Sequence, residues 1–270
     1  MYYIIQENTF REEHYDNLKK SLNRLNLNYT TVRVYPYVDK IVDIDKIPKE
    51  FDVVEDLEDY TPLTKNVFVF GSVKLARIAS ENNWYIGSLL NGNHDYEVYS
   101  KYYKENLLNY DSKIYSLSEK IKWKKDEVKF IRPTLDSKSF TGAVFSESQF
   151  NLMINRYLHN YKSSTFNENT KIQVSTPKKI YKEIRFWVVG GKVITGSQYQ
   201  LGGRYTLDDV IDDDAFIYAQ KMVDLFQLAE AFVIDICLTD SGWKIVECGC
   251  INAAGFYKSN LQKVLVALEN

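Results

Sequence analysis

Two spacings of apolar residues alternate along residues 1–90. The segments MYYIIQ, YTTVRVYP and NVFVFGS are short runs of β-branched and aromatic residues, which is the pattern of buried strands. Residues 12–26 and the segment VKLARIASENNW carry apolar residues at helical spacing instead. This alternation of strands and helices predicts a small α/β lobe with a largely parallel sheet.

Residues 91–175 are richer in polar and aromatic residues and predict a second lobe. The segment YEVYSKYYKENLLNY has the pattern of a helix, and EVKFIRP that of a strand ending at Pro133, because proline has no N–H to donate to a sheet. The polar loop TLDSKSFTG follows. A further helix begins after Ser146, which forms with Gln149 the pattern of a capping box.

Residues 176–270 predict a third lobe that is rich in strands. Gly190-Gly191 divides KEIRFWVVGGKVITGSQY at the two-residue turn of a β-hairpin. Along the first strand of this hairpin, Glu183, Arg185 and Trp187 alternate onto one face. Residues 213–230 predict a helix, and a short terminal helix is expected near residues 259–268.

Asp235 and Glu247 lie in the segment FVIDICLTDSGWKIVE, which predicts a second hairpin around the three-residue loop Asp240-Ser241-Gly242. In this register Thr239 is opposite Trp243, and Asp235 is opposite Glu247. Directly opposed side chains have Cβ atoms roughly 4.5–5.5 Å apart, and like charges there destabilise a sheet. A hard cation such as Mg²⁺ would compensate the two carboxylates. The alternative is a one-residue slip that turns one carboxylate to solvent.

The composition and net charge argue against some classes of binding partner. Of 270 residues, 45% are hydrophobic and 26% are charged, as in an ordinary soluble globular protein. The net charge is −2 and the pI is about 6.0, so neither nucleic acid nor an anionic membrane is expected as the main partner. The sequence has no long apolar run and no signal-like start, so a cytoplasmic location is expected.

The charged residues of the predicted strands and loops follow a definite order. Cationic side chains come first and metal-type oxygens last, in the order Arg132, Lys138, Glu183, Arg185, Asp235, Glu247 and Asn252. Cations neutralise phosphate oxygens, and carboxylate or amide oxygens hold the Mg²⁺ that bridges them, so the set fits a nucleoside triphosphate site. The sequence has neither a Walker A motif nor the set of protein-kinase motifs, which argues against those folds.

Three segments together resemble the ATP-grasp superfamily, and in particular its clade named for an arginine and two lysines, met in viral and bacterial genomes. They are FIRPTLDSKSFTG, KEIRFWVVGGKVITGSQY and FVIDICLTDSGWKIVECGCINAAGFY. The resemblance spans residues 90–257, and residues 1–90 are similar to the Rossmann-like α/β lobe that commonly precedes an ATP-grasp core. It implies a mixed α/β and α+β fold in which ATP and Mg²⁺ bind between two α+β lobes, residues 91–175 and 176–270.

The resemblance implies that Arg132, Lys138 and Arg185 are the catalytic residues. By position, Arg132 is similar to the strand-end cation that holds ATP phosphates, where arginine would make bidentate contacts. Lys138 lies in the segment similar to the flexible loop over the phosphates, although an ordinary exposed lysine fits the same loop. Arg185 would point into the cleft.

Nucleotide and metal contacts are implied at the two hairpins. Lys182 and Glu183 lie where relatives present groups near adenine or ribose, and a cross-strand ion pair is the alternative role for Glu183. Asp235 and Glu247 are similar to the two metal-binding acids, in agreement with the predicted register, and Asp235 would also contact the bound ATP.

One position departs from the family pattern. Many ATP-grasp proteins have Glu-x-Asn at the second acid, whereas Gly249 stands at the place of the asparagine here. Asn252 in the following turn would supply the missing metal-ligating oxygen. The alternative is that Asn252 caps the turn around Ala253 and Gly255.

The substrates are less well defined by the sequence. Ser197, Tyr199 and Arg204 follow the turn of the first hairpin and are the candidate substrate residues, with Arg204 suited to a carboxylate; a polar surface loop is the alternative. The resemblance implies an ATP-dependent ligase that joins a small-molecule or peptide carboxylate to an amine through an acyl phosphate. A phosphotransferase and a catalytically degenerate nucleotide-binding module are the alternatives, and a homodimer is one possible assembly.

Overall fold

The computed structural model describes residues 1–7, 9, 12–35, 38, 40–50, 53–135, 140–160 and 166–270, without the side chains of residues 12, 13 and 157–160. The strands are β1 (Tyr2–Gln6), β2 (Tyr29–Val34), β3 (Ile41–Asp43), β4 (Asn66–Phe70), β5 (Tyr85–Gly87), β6 (Lys113–Ser116), β7 (Val128–Pro133), β8 (Ala143–Ser146), β9 (Lys171–Ser175), β10 (Lys182–Val189), β11 (Lys192–Leu201), β12 (Arg204–Asp208), β13 (Ala231–Thr239) and β14 (Gly242–Cys250). The α-helices are α1 (Glu12–Arg24), α2 (Val73–Glu81), α3 (Tyr96–Tyr103), α4 (Glu147–Asn160), α5 (Asp213–Leu225) and α6 (Leu261–Glu269).

The N-terminal sheet has the order β3-β2-β1-β4-β5, and only its edge strand β3 pairs antiparallel. The central strand β1 is apolar on both faces because both faces are covered. Ile5 packs with Leu22 of α1 on one face, and Ile4 packs with Leu75 of α2 on the other. The predicted α/β lobe with a largely parallel sheet is confirmed.

The middle sheet has the order β6-β9-β7-β8, with antiparallel pairing throughout. Its apolar face packs against α4 through Ile131, Phe150 and Ile172. The predicted capping box at the start of α4 is confirmed: the backbone N–H of Ser146 donates to Gln149 Oε1 at 2.9 Å, and the backbone N–H of Gln149 donates to Ser146 Oγ at 3.4 Å.

The C-terminal sheet has the order β12-β11-β10-β13-β14 and is antiparallel. One face of this sheet packs on α5 and also on α3. The predicted lobe 91–175 therefore contributes helices to two sheets: α3 packs on the C-terminal sheet and α4 packs on the middle sheet. The other face is apolar at Trp187 and Val233, which pack against residues of the N-terminal lobe such as Phe68. That face becomes polar further along the same strands.

The carboxylate hairpin has a shorter turn than the one predicted. Thr239 pairs with Gly242 instead of Trp243, so the loop contains two residues, although Gly242 has the expected positive φ of 84°. A register shift between Asp235 and Ile236 then brings Asp235 opposite Glu247. The predicted carboxylate pair is therefore confirmed, but it depends on a β-bulge in β14 that the sequence interpretation did not include.

Several element boundaries also differ from prediction. The helix expected over residues 213–230 ends at Leu225, because Phe226 is extended with a ψ of 130°. The helix predicted for YEVYSKYYKENLLNY ends at Tyr103, where Lys104 has a φ of 47°. The strands β3, β5, β6, β8, β9 and β12 were not predicted, since each has only three to five residues.

Candidate active site

A row of polar residues crosses four strands of the C-terminal sheet. Ser197 of β11 is the Cα partner of Arg185 of β10, Arg185 is the partner of Asp235 of β13, and Asp235 is the partner of Glu247 of β14. Directly paired residues project their side chains to the same face of a sheet. The register therefore places an arginine and two carboxylates side by side, on the face that carries Trp187 further along.

Each of the two opposed carboxylates is hydrogen-bonded to a guanidinium. Arg185 donates from Nε and Nη2 to the two oxygens of Asp235, both at 2.8 Å. Arg132, at the end of β7, donates from Nη2 to Glu247 Oε2, and Arg185 Nη2 lies 3.8 Å from Glu247 Oε1. Two arginines thus compensate the like-charge pair for which the sequence suggested a metal ion.

Tyr199 links Glu183 to this row. Its hydroxyl lies 2.8 Å from Glu183 Oε2 and 3.3 Å from Asp235 Oδ2, within donor range of both. Burial, together with the nearby charges of Asp235 and Glu247, raises the pKa of Glu183, and the hydrogen bond from Tyr199 opposes this effect. Burial followed by the charge of Asp235 holds the pKa of Tyr199 well above its usual value, so the phenol stays protonated and remains a donor.

A cleft of about 600 Å³ opens between β7–β8 of the middle sheet and the C-terminal sheet. Arg132, Glu183, Tyr199 and Glu247 are its ionisable or phenolic groups near the polar row. Its apolar walls come from both sheets and the connecting segments: Leu108, Phe130, Pro133, Leu135, Phe140, Ala143, Val144, Pro177, Ile180 and Val246. Apolar walls with a few convergent polar groups are the usual form of a small-molecule site.

Gly142 packs closely against two residues of β7 that line this cleft. A Cβ added at Gly142 would lie 2.9 Å from Arg132 Cβ and 3.1 Å from Phe130 Cζ. A side chain at this position would push Arg132 or Phe130 away, so the absence of a Cβ positions both residues on the cleft wall.

Other predicted site residues lie outside the cleft lining. Lys182 makes an ion pair with Asp212 at 2.6 Å, and Arg204 is exposed on the edge strand β12. Ser197 is fully buried, where its hydroxyl contacts the backbone of Asp208 at 3.2 Å and accepts from the Lys258 N–H at 3.1 Å. Lys138 lies outside the described residues. The structure thus brings together Arg132, Glu183, Arg185, Tyr199, Asp235 and Glu247.

Asn252 joins the C-terminal sheet to the N-terminal lobe. Its amide Nδ2 donates to the carbonyl oxygens of Val69 at 2.8 Å and Gly87 at 3.2 Å, and its Oδ1 accepts from the Leu89 N–H at 2.8 Å and from the Cys250 thiol at 3.1 Å. The residue is fully buried. The oxygen that was expected to bind metal therefore has two donors already, and the placement of Asn252 gives that role no support.

Asp235 and Glu247, as they are arranged in this structure, do not form a Mg²⁺-binding site. Both oxygens of Asp235 are bonded to Arg185, and the side chain is 2% exposed. Among the described residues there is no group of three or more His, Cys, Asp or Glu side chains that could hold a metal ion. Glu247, at 25% exposure, is the member of the pair that lines the cleft.

Tyr257 belongs to the site but was not singled out from the sequence. Its ring stacks on Tyr199 with centroids 5.0 Å apart and an interplanar angle of 18°, and Arg185 Cζ lies 5.1 Å from the centroid of the Tyr257 ring. Arg185 Nη1 also donates to the Gly255 carbonyl at 3.3 Å. Nothing local distinguishes Tyr257 among 21 tyrosines, so only the tertiary contacts identify it.

Comparisons with known proteins agree with this architecture. Residues 94–268 match the sequence profile of the ATP-grasp domain of family 3 in the clade named for an arginine and two lysines. The structure is similar to D-alanine–D-alanine ligase from Bacillus anthracis, with a TM-score of 0.56, 10% identity and coverage of 100% of this chain and 92% of that chain. The same ligase complexed with ATP has a TM-score of 0.56, 11% identity and the same coverage of 100% and 92%.

A RimK domain protein ATP-grasp from Sphaerobacter thermophilus DSM 20745 is also similar, with a TM-score of 0.55, 10% identity and coverage of 94% of this chain and 92% of that chain. No curated protein matches the chain in sequence. At these identities the similarity to solved structures shows the fold alone, whereas the profile match covers more than half of the chain.

The chain belongs to the ATP-grasp superfamily, and the matching profile is that of the arginine-and-two-lysines clade. Members of the superfamily are typically ATP-dependent ligases. The predicted ATP-grasp fold with its N-terminal α/β lobe is confirmed. Within the described part of the chain, no helix has the length and apolar character needed to cross a membrane.

Proposed function

We propose that this protein is an ATP-dependent ligase that joins a carboxylate to an amine, with ATP bound in the cleft between the middle and C-terminal sheets. One observation carries the proposal: in a member of the ATP-grasp superfamily, a single cleft of about 600 Å³ brings Arg132 together with Glu183, Tyr199 and Glu247. The apolar walls suit an adenine ring, and the polar row lies where a triphosphate would need cations.

Arg132 is the residue to which we assign the phosphates. Its guanidinium now bonds the carboxylate of Glu247, and both groups line the cleft. Phosphate oxygens accept two parallel hydrogen bonds from a guanidinium, as carboxylate oxygens do. A triphosphate in the cleft would therefore compete with Glu247 for the donors of Arg132.

Arg185 acts differently, as a positioning residue. Its donors are directed to Asp235 and to the Gly255 carbonyl, and it is absent from the cleft lining. It fixes Asp235, and through the stacked rings of Tyr199 and Tyr257 it fixes the hydroxyl that bonds Glu183. The role first expected for Arg185, direct contact with the reacting groups, has no support from these contacts.

The chemistry proposed has two steps. A substrate carboxylate oxygen attacks the γ-phosphorus of ATP, the bond to the β-phosphate oxygen breaks, and ADP leaves an acyl phosphate behind. An amine nitrogen then attacks the acyl carbon, loses a proton and displaces inorganic phosphate. Arg132 would neutralise charge on the transferring group, so most of the rate enhancement would come from positioning and electrostatic stabilisation.

Mg²⁺ commonly accompanies ATP and keeps several water ligands besides one or two carboxylates. Because Asp235 is bonded to Arg185, we assign no step to a metal held by the predicted pair. Of that pair, Glu247 is the member that lines the cleft and that an ion on the triphosphate would meet.

The first experiment is an ADP-release screen with ATP and Mg²⁺ over amino acids, peptides and polyamines. The ligase proposal predicts ADP and free phosphate only when a carboxylate and an amine are both present, together with a ligated product. Phosphorylated product without free phosphate would instead indicate a phosphotransferase. Thermal stabilisation by ATP without ADP release would indicate a degenerate nucleotide-binding module.

A further inference from the structure

A second hollow of about 500 Å³ lies between α1 and the segment leading into α6, and we call it the α1–α6 hollow. Its wall includes one side of α1, the residue Asp209 after β12, and the chain from Phe256 to Gln262. Of the residues that the structure describes, none lines both this hollow and the ATP cleft. It is thus a separate cavity, and the function proposed above makes no use of it.

Positive side chains dominate the hollow. Lys20 and Arg24, one turn apart on α1, face it together with Lys258 from the opposite wall, and all three are exposed. Asp209 is the only carboxylate among the described residues of its lining. Within the described residues, none of the three cations forms an ion pair. In a chain of net charge −2, this local excess of positive charge is set apart from the general surface.

Neutral donors complete the lining. The hydroxyl of Ser259 is buried and has no hydrogen-bond partner among the described atoms, although a buried polar group is normally satisfied. The side-chain amides of Asn17 and Gln262 line the same hollow. The N-terminus of α6 opens there as well, and helix N-termini carry partial positive charge. The unpartnered hydroxyl is consistent with a ligand that supplies an acceptor.

Two stacked tyrosines separate the hollow from the ATP cleft. Tyr257 lines the hollow and Tyr199 lines the cleft, and their rings stack with centroids 5.0 Å apart. His14, also in the lining of the hollow, meets the Tyr257 ring edge-on at 6.1 Å. A molecule in the hollow would therefore lie one aromatic pair away from Glu183 and Asp235.

We propose that the α1–α6 hollow binds the carboxylates of a small molecule that carries two or more of them, at a site separate from the ATP cleft. The inference goes beyond the proposed ligase and does not rest on it, because the binding requires no turnover. Cations on two facing walls fit carboxylates spaced along a carbon frame better than one compact phosphate group. Charge-assisted hydrogen bonds from arginine and lysine would supply most of the affinity.

The test is calorimetric titration of the full chain, without ATP and at fixed ionic strength, using tricarballylate as the probe and inorganic phosphate as the comparison. Arg24→Gln and Lys258→Gln each remove one positive charge from the wall. Lys263→Gln is the matched control, because Lys263 is an exposed lysine of α6 that does not line the hollow. Each wall variant is expected to weaken tricarballylate binding about tenfold and the control to leave it unchanged.

Saturating ATP is expected to leave tricarballylate affinity unchanged, because the two cavities have separate linings. Equal binding by the wall variants and the control would overturn the proposal, as would competition with ATP. Tighter binding of phosphate than of tricarballylate would overturn the carboxylate assignment. Binding that follows these expectations in a protein that never releases ADP would retain the hollow as a polycarboxylate site and reject only the ligase.

Discussion

Arg185 donates two hydrogen bonds, each 2.8 Å long, to the two carboxylate oxygens of its cross-strand partner Asp235. Asp235 faces Glu247 on the other side, and a second guanidinium, that of Arg132, bonds Glu247. The two acids that an ATP-grasp resemblance assigns to metal binding are thus neutralised by protein groups. A substitution at Asp235 therefore distinguishes a structural role of this residue from a metal-binding role.

Asp235→Asn is expected to lower the free energy of unfolding by about 3–5 kcal/mol, because it leaves a buried guanidinium without its counter-charge. Chemical denaturation measures the change. Asp212→Asn is the control, since Asp212 makes an ion pair with Lys182 at 49% exposure, and about 1 kcal/mol or less is expected there. Equal effects of the two substitutions would contradict the buried pair.

The same Asp235→Asn variant, assayed below its unfolding transition, is expected to need no more Mg²⁺ for half-maximal ADP release than the original protein. A metal ligand would behave in the opposite way, with a raised Mg²⁺ requirement and little loss of stability. A raised Mg²⁺ requirement with little loss of stability would show that Asp235 is a metal ligand.

Arg132→Gln is expected to reduce kcat/KM for ADP release about a hundredfold, because it removes a cation from the transferring phosphoryl group. The thermal stabilisation produced by ATP should shrink in parallel. Arg77→Gln serves as the control, because Arg77 lies on the exposed surface of α2 next to Glu81. If Arg132→Gln retains full kcat/KM, the phosphates bind elsewhere.

Asn252 is expected to act as a clamp between the lobes, and Asn252→Asp separates this role from metal binding. Asparagine donates to Val69 O and Gly87 O, and aspartate has no hydrogens for these acceptors. A loss of about 3 kcal/mol in the free energy of unfolding is therefore expected. A carboxylate is at least as good a metal ligand as an amide. Asn252→Asp protein of unchanged stability that needs less Mg²⁺ for half-maximal ADP release would therefore support the metal role instead.

Glu183 is expected to make stability depend on pH. Burial and the charges of Asp235 and Glu247 raise its pKa in the folded state above the ordinary 4.5, so the folded protein binds the proton more tightly than the unfolded chain. Its contribution is complete below pH 4.5 and is lost as pH rises through the raised pKa of the folded state. The free energy of unfolding should decline over this window relative to Glu183→Gln. Parallel pH profiles for the two proteins would refute the shift.

Local sequence patterns predicted much of the fold, namely those elements whose strands or turns are marked by their own residues. Gly190-Gly191 marked a hairpin turn, and both glycines have positive φ, at 56° and 73°. Asp235 was placed opposite Glu247 even though a shorter turn and a bulge, rather than the expected loop, produce that register. The three segments, which follow one another in the order of the family, were sufficient to predict the superfamily.

The compensation of the charged row could not be predicted, because it depends on contacts between distant parts of the chain. Arg185 and Asp235 are 50 residues apart, and only the pairing of β10 with β13 joins them. Asn252 bonds the backbone of Val69 from 183 residues away. Periodicity identifies strands but does not tell which strands become neighbours, so these partners required the structure.

The proposed reaction requires that ATP activate a carboxylate as an acyl phosphate in this cleft. The direct test follows isotopically labelled oxygen from the carboxylate of a substrate found in the ADP-release screen. Acyl phosphate formation predicts that one labelled oxygen appears in the inorganic phosphate released with ADP, and that Arg132→Gln suppresses this transfer together with ADP release. Released phosphate that takes its oxygen from water instead would contradict acyl phosphate formation and the ligase assignment.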